Sequence, residues 1–201
     1  METDSETVTM NHEKIKPTTF LQLAAGRKSI RRFNDRPVDK RDVITCLEAA
    51  RLAPSAENAQ PWRFLVMDDP EIKSRFAGHV FTGVYKVSRF AAKAPVLILI
   101  MARMNIITHR LGRWYQDIPF HFIDTGIAGE HLVLQAEELG IGTCWMSWFN
   151  VRKARKFFKI PGKYKITALI ALGGYDKKPS RERKRKPLEE IVWFNRMGEA
   201  D

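Results

Sequence analysis

From Ala94 to Ala102 no polar side chain interrupts the chain, and Lys93 and Arg103 close the run at either end. A helix needs about 20 apolar residues to cross a bilayer, so this stretch does not span a membrane. Its short length and its content of Val, Leu and Ile make Val96 to Met101 the clearest buried strand. A strand of this kind needs a substantial core around it. The chain has 201 residues, the size of one domain, with 44% hydrophobic and 28% charged residues. That composition argues against wholesale disorder.

Residues 1–16 show no periodicity and read as a flexible N-terminal tail. From there the pattern predicts one domain, residues 17–201. A short helix starts at Thr18 or Thr19 and ends at Gly26. Asp39 caps a second, with Ile44, Leu47, Ala50 and Leu52 on or near one face, and Pro54 ends it. Trp62 to Met67 reads as a strand, followed by a helical stretch to about Ala92 with breaks at Gly78 and Gly83. Residues 103–117 have weak periodicity and read as a loop or lid. Ile118 to Leu139 is a long helix with apolar residues on more than one face, so it needs cover on several sides. Gly140 ends it. Thr143–Ser147 and Lys165–Leu172 complete the strands, and a polar, basic arm follows Gly173-Gly174. Strands interspersed with helices imply an α+β or three-layer sandwich.

The net charge is +11, and its location matters more than its size. Arg27–Arg41 carries +5, Arg152–Lys165 carries +7 and Asp176–Glu190 carries +3, which leaves −4 for the rest of the chain. The 152–165 run fits a solvated helix face, with Val151, Ala154 and Phe158 turned inward. The other two contain more than charge.

Cys46 and Cys144 are the two cysteines, far apart and in no CxxC pair. They supply no disulfide framework or cysteine-rich zinc site and suit a reducing compartment. The acidic, polar start lacks the features of a signal peptide, so the expected location is the cytoplasm. His109, His121 and His131 lack metal-ligand spacing, and no metal is expected. There is no phosphate loop of the GxxxxGK[ST] type, no HExxH and no GxSxG. Gly140-Ile141-Gly142 lacks the third glycine of a dinucleotide fingerprint.

Three local patterns remain. Arg27-Lys28-Ser29-Ile30-Arg31 follows the first helix. If it runs extended, Arg27, Ser29 and Arg31 project to one side and offer guanidinium forks and a hydroxyl to an anion; otherwise it is a basic loop in water. Pro54-Ser55-Ala56-Glu57-Asn58-Ala59-Gln60-Pro61-Trp62 is a rigid polar turn between a helix and a strand. It can present amides to the edge of a heteroaromatic ring, or simply connect the two elements. Arg183-Lys184-Arg185-Lys186-Pro187-Leu188 lies on the terminal arm.

In this order and combination, over about residues 18–192, the three patterns resemble the FMN-dependent nitroreductase family. The resemblance implies a three-layer α/β/α sandwich with a mostly antiparallel central sheet and an extended C-terminal arm. It also implies a homodimer with two FMN sites at the subunit interface and hydride taken from NAD(P)H. Position by position, Arg27 and Ser29, with Lys28 between them, match phosphate or ribityl contacts. Arg31 matches the basic residue beside flavin N1 and O2, the group expected to govern catalysis. Pro54, Ser55, Ala56 and Asn58 match a segment near the ring that can come from the other subunit. Arg183 and Arg185 match a late basic pair on the phosphate. Trp145, Met146 and Ser147 fall where the family's backbone meets the flavin, without the acidic residue that some members carry there.

The implied activity is ping-pong hydride transfer to a small aromatic or electrophilic acceptor, nitroaromatic or quinone in type. Arg113, Trp114 and Tyr115 are candidates for contacting that acceptor, or for packing on a partner subunit. Rival readings are a flavoenzyme of the same fold with another reaction (reductive dehalogenation, flavin destruction or azoline oxidation) and a basic nucleic-acid-binding module. The last gives the proline-bounded turn and the buried strands no role, and neither nucleic acid nor membrane is an expected partner.

Overall fold

The computed structural model describes residues 18–104, 118–180, 183–195 and 197. The apolar run becomes β2 (Val96–Arg103) and lies inside a four-stranded sheet. β1 (Trp62–Met67) flanks it on one side and β4 (Tyr164–Gly173) on the other, with β3 (Gly142–Met146) outermost beyond β4. All three strand pairings are antiparallel.

Alternation along β2 divides the core in two. Leu97, Leu99 and Met101 pack with Phe76, Ala77 and Val80 of α3 (Pro70–Val80) and with Ala154 of α5 (Val151–Phe157). Val96, Ile98 and Ile100 pack with Cys46 and Ala50 of α2 (Lys40–Arg51) and with Ala128, Leu132 and Val133 of α4 (Phe120–Glu138). Helices therefore cover both faces, giving the expected three layers. One bulge keeps the alternation in step: Ile100 pairs with Ala168 and Met101 with Ile166, so Thr167 is the extra residue. Its hydroxyl donates to Ile100 O at 3.2 Å.

Some local expectations shift. Thr18 and Asp39 cap α1 (Thr19–Gly26) and α2 by accepting from Leu21 N and Arg41 N. The buried stripe of α2 is Val43, Cys46 and Ala50, however, and Ile44 and Leu52 are exposed. Gly78 does not interrupt α3; the break falls after Val80, and the chain resumes as 3-10 turns over Gly83–Lys93. α4 starts at Phe120, two residues after the expected Ile118. Gly140 follows it with φ +73°, a conformation in which any other residue's Cβ would be strained. Among the described residues no helix is long and apolar enough to cross a membrane. The expected tail, residues 1–16, lies outside the described residues.

Candidate functional site

The basic segment begins where α1 stops. Arg27 is already extended (φ −63°, ψ 119°), and its N–H still closes the helix on Leu23 O. Two residues later the chain joins the outer edge of β3: Ser29 forms a parallel bridge with Thr143, and Ile30 N donates to Thr143 O at 2.8 Å. Ile30 is buried against Gly142, where an added Cβ would come within 2.7 Å of its Cγ1. In extended chain this turns Ser29 and Arg31 to the side opposite Ile30.

The arm beyond β4 folds back along the same segment. Asn34 N donates to Gly174 O and Asn34 Nδ2 to Asp176 Oδ1, both at 2.9 Å. Lys178 Nζ pairs with Glu137 and reaches Gly26 O, and Lys28 Nζ donates to Pro179 O at 2.9 Å. Arg183 Nη2 then donates to Ser29 Oγ at 2.7 Å. Beside these contacts lies an open cavity of about 450 Å³ whose charged walls, Lys28, Arg31, Arg183, Lys184 and Arg185, are all positive.

Little among the described residues balances that charge. Arg27 lies 3.6 Å from Glu130, but among the described residues no carboxylate pairs with Arg31, Arg183 or Arg185. Partial burial, and then the charges of Arg27, Arg185 and Arg31, lower the pKa of the Arg183 guanidinium. The neighbouring Cys144 supplies no counter-charge. Burial raises its pKa despite the opposing influence of Arg31, Ser29, Arg183 and Arg27, so the thiol stays neutral near pH 7. A bound anion would relieve this crowding of guanidinium groups.

Arg31 also borders a second cavity, about 310 Å³, walled by Val87, Phe90, Cys144, Met146 and Trp148 among others. Its guanidinium carbon sits 5.9 Å from the centre of the Phe90 ring. The 3-10 segment and the loop after β3 are fastened together here: Trp148 Nε1 donates to Val84 O at 3.0 Å, and Ser88 Oγ donates to Trp148 O at 2.7 Å. Tyr85 packs against the Trp148 indole with ring centres 5.5 Å apart. A positively charged cavity and an aromatic-walled cavity thus share one cation.

The structure brings Arg27, Lys28, Ser29, Arg31, Arg183 and Arg185 together and places Trp145, Met146 and Ser147 beside Arg31. It does not bring Pro54, Ser55, Ala56 or Asn58 to either cavity. That turn is docked elsewhere, with Ala56 N donating at 3.1 Å to the buried Asp124 of α4. It holds three non-glycine residues in the left-handed region, Glu57, Asn58 and Gln60 (φ 51°, 53° and 44°), strain of the kind stored at functional sites. Arg113, Trp114 and Tyr115 lie outside the described residues. Sequence reasoning missed Val87, Phe90, Trp148 and Lys184. A cation beside an aromatic residue 59 positions away leaves no local pattern, though Lys184 sat visibly between the two arginines.

The site and sheet define a class, an α/β/α protein with a positively charged cavity that shares Arg31 with an aromatic-walled one. Comparison with known proteins agrees. The nitroreductase family model matches residues 24–175. An NADH dehydrogenase of Thermus thermophilus is 30% identical, over 84% of this chain and 92% of its own. An iodotyrosine deiodinase of Thermotoga neapolitana is 25% identical, over 85% and 94%. The solved structure of an FMN-dependent nitroreductase from Clostridium difficile R20291 is 28% identical and superposes with a TM-score of 0.69, over 87% of this chain and 98% of that one. The chain belongs to the nitroreductase family, and it is an oxidoreductase.

Proposed function

We propose that this protein is an FMN-dependent oxidoreductase that moves hydride from NAD(P)H to a small electrophilic acceptor, aromatic in type. The observation that carries the reading is the position of Arg31 on the border of both cavities. FMN is a doubly charged phosphate joined through a flexible chain to a flat heteroaromatic ring. Its phosphate suits Ser29, Arg183 and Arg185, whose charge no carboxylate among the described residues offsets, and its ring suits the Phe90–Trp148 cavity. Bound FMN would supply two-electron chemistry, with the nicotinamide leaving before the acceptor arrives.

The chain's own groups have distinct parts in this reading. Arg27, Lys28, Ser29, Arg183 and Arg185 hold the anionic end. Arg31 places fixed positive charge where negative charge develops on the reduced ring, in a site partly shielded from water. Trp145, Met146 and Ser147 provide a wall of backbone beside it. No side chain is required as nucleophile, and the neutral Cys144 is unsuited to be one.

The assembly is a homodimer. Phe20 on α1, Ile44 and Leu52 on α2, and Phe122 and Ile123 on α4 are all exposed on the helical face of one chain. A second copy covering that face also supplies the Pro54–Asn58 turn, which sits on α4 away from its own cradle. The second reading, reductive dehalogenation on the same scaffold, is favoured by the likeness to the deiodinase.

An absorbance spectrum of the purified protein tests the cofactor. Bands near ~450 nm are expected, and a colourless protein that stays so after incubation with FMN sinks the reading. Turnover of nitroaromatics, quinones and halophenols by the reduced enzyme then separates the two reactions. Sedimentation tests the dimer.

A further inference from the structure

The arm that carries Arg183 and Arg185 would be a loose strand of basic residues without something to hold it. Three contacts precede Arg183: Asp176 on Asn34, Lys178 on α4 and α1, and Pro179 O on Lys28. The middle one differs from the others in burial. Glu137 is 10% exposed and Lys178 36%, whereas the Arg36–Asp176 pair nearby is more than 70% exposed on both sides. Lys178 Nζ also donates to Gly26 O at 3.2 Å, at the last turn of α1. The pair packs close over Gly26, where a Cβ would lie 3.1 Å from Glu137 Oε1 and 3.9 Å from Lys178 Nζ. The pair therefore joins the end of α1, the end of α4 and the start of the arm at one point, one residue before α1 hands over to the cradle segment.

We infer that Glu137 and Lys178 are positioning residues that lock the C-terminal arm against the body, so that Arg183 reaches Ser29 and the anion cradle is complete. Neither touches the cavity. Their effect on an anion passes through the arm. The lock's effect on FMN rests on the cofactor reading above, but its hold on the arm does not. A partly buried pair suits a lock, because removing either partner leaves the other charge uncompensated and the junction opens. Burial disfavours the charge on Lys178, yet Glu137 and Tyr175 outweigh it and raise its pKa, so the lock persists across neutral pH.

The test uses the full-length protein. In E137Q and K178M, FMN should bind about tenfold more weakly, while riboflavin, which lacks the phosphate, should bind as it does to the parent. The charge-swapped double variant E137K/K178E should recover part of the lost FMN affinity. In an R183A/R185A background, K178M should add no further loss. Equal weakening of FMN and riboflavin, or FMN affinity within twofold of the parent, overturns the inference. Tryptic cleavage between Arg183 and Lys186, followed by mass spectrometry without any flavin, is the independent arm of the experiment. Faster cleavage in E137Q supports the lock even if the parent binds no flavin and the cofactor reading has failed. Unchanged cleavage overturns it.

Discussion

Arg183 donates a 2.7 Å hydrogen bond to Ser29 across 154 positions of sequence, and through it the arm becomes part of the body. The hydroxyl and the guanidinium keep each other in place beside a cavity whose charged walls, among the described residues, are all positive.

Replacing Arg183 and Arg185 together by Ala should release FMN while sparing the ring end of the site. Two charge-assisted contacts are lost, each worth ~1.5–3 kcal/mol but not additive, so affinity should fall about 10²-fold or more. Recovery of flavin fluorescence on dilution measures it, with riboflavin as control. Unchanged retention shows that the phosphate is not held there.

Arg31→Ala should act on the ring. Losing a cation next to the reduced flavin should lower the two-electron potential by ~30–60 mV, the equivalent of ~1.5–3 kcal/mol. Turnover should fall with it. Spectroelectrochemical titration reads the potential directly, and no change there removes Arg31 from the electrostatic role.

Gly129→Ala tests packing between α4 and β3. Its Cβ would meet Trp145 Cη2 at 2.4 Å and Cζ2 at 2.5 Å. Overpacking of this kind costs about 1–3 kcal/mol, and each kcal/mol lowers Tm by ~2–4 °C in a chain of this size. Calorimetry should show the drop, and the double variant with Trp145→Phe, which lacks those two atoms, should recover much of it.

Cys46 gives a pH dependence with a definite sign. Burial, and then the charge of Asp42, push its thiol from an ordinary 9.0 up to about 12. Between those values the folded chain holds a proton that the unfolded chain has lost, so the contribution is intact below pH 9 and disappears as pH rises toward 12. The slope per thiol is ~1.4 kcal/mol per pH unit. Urea unfolding of the parent and of Cys46→Ala from pH 8 to 10.5 should show the parent losing stability faster. Parallel curves would remove the thiol as the cause.

The layers were readable because the apolar run, the capped helices and the glycine stops are local signals, each written in a few adjacent residues. α2 shows the limit. Ala50 is buried as expected, but Val43 and Cys46 are smaller than Ile44 and Leu52, and hydrophobic size pointed to the larger pair, which instead lie exposed. The cradle residues were found because Arg27–Arg31 and Arg183–Arg185 are compact patterns, but their meeting was not written in either. It depends on Lys178 of the arm meeting Glu137 of α4 and the end of α1, contacts between residues far apart in the chain. Phe90 and Trp148 were invisible for the same reason.

The span between Ser29 and Arg183 also has a meaning in time. A ribosome adding ~5–20 residues per second emits the hydroxyl roughly 8–30 s before the guanidinium that meets it. A nascent chain in that interval holds Ser29 without the guanidinium that closes on it. Under the proposed function, vitamin-derived cargo would be taken aboard late, after the sheet has been laid down.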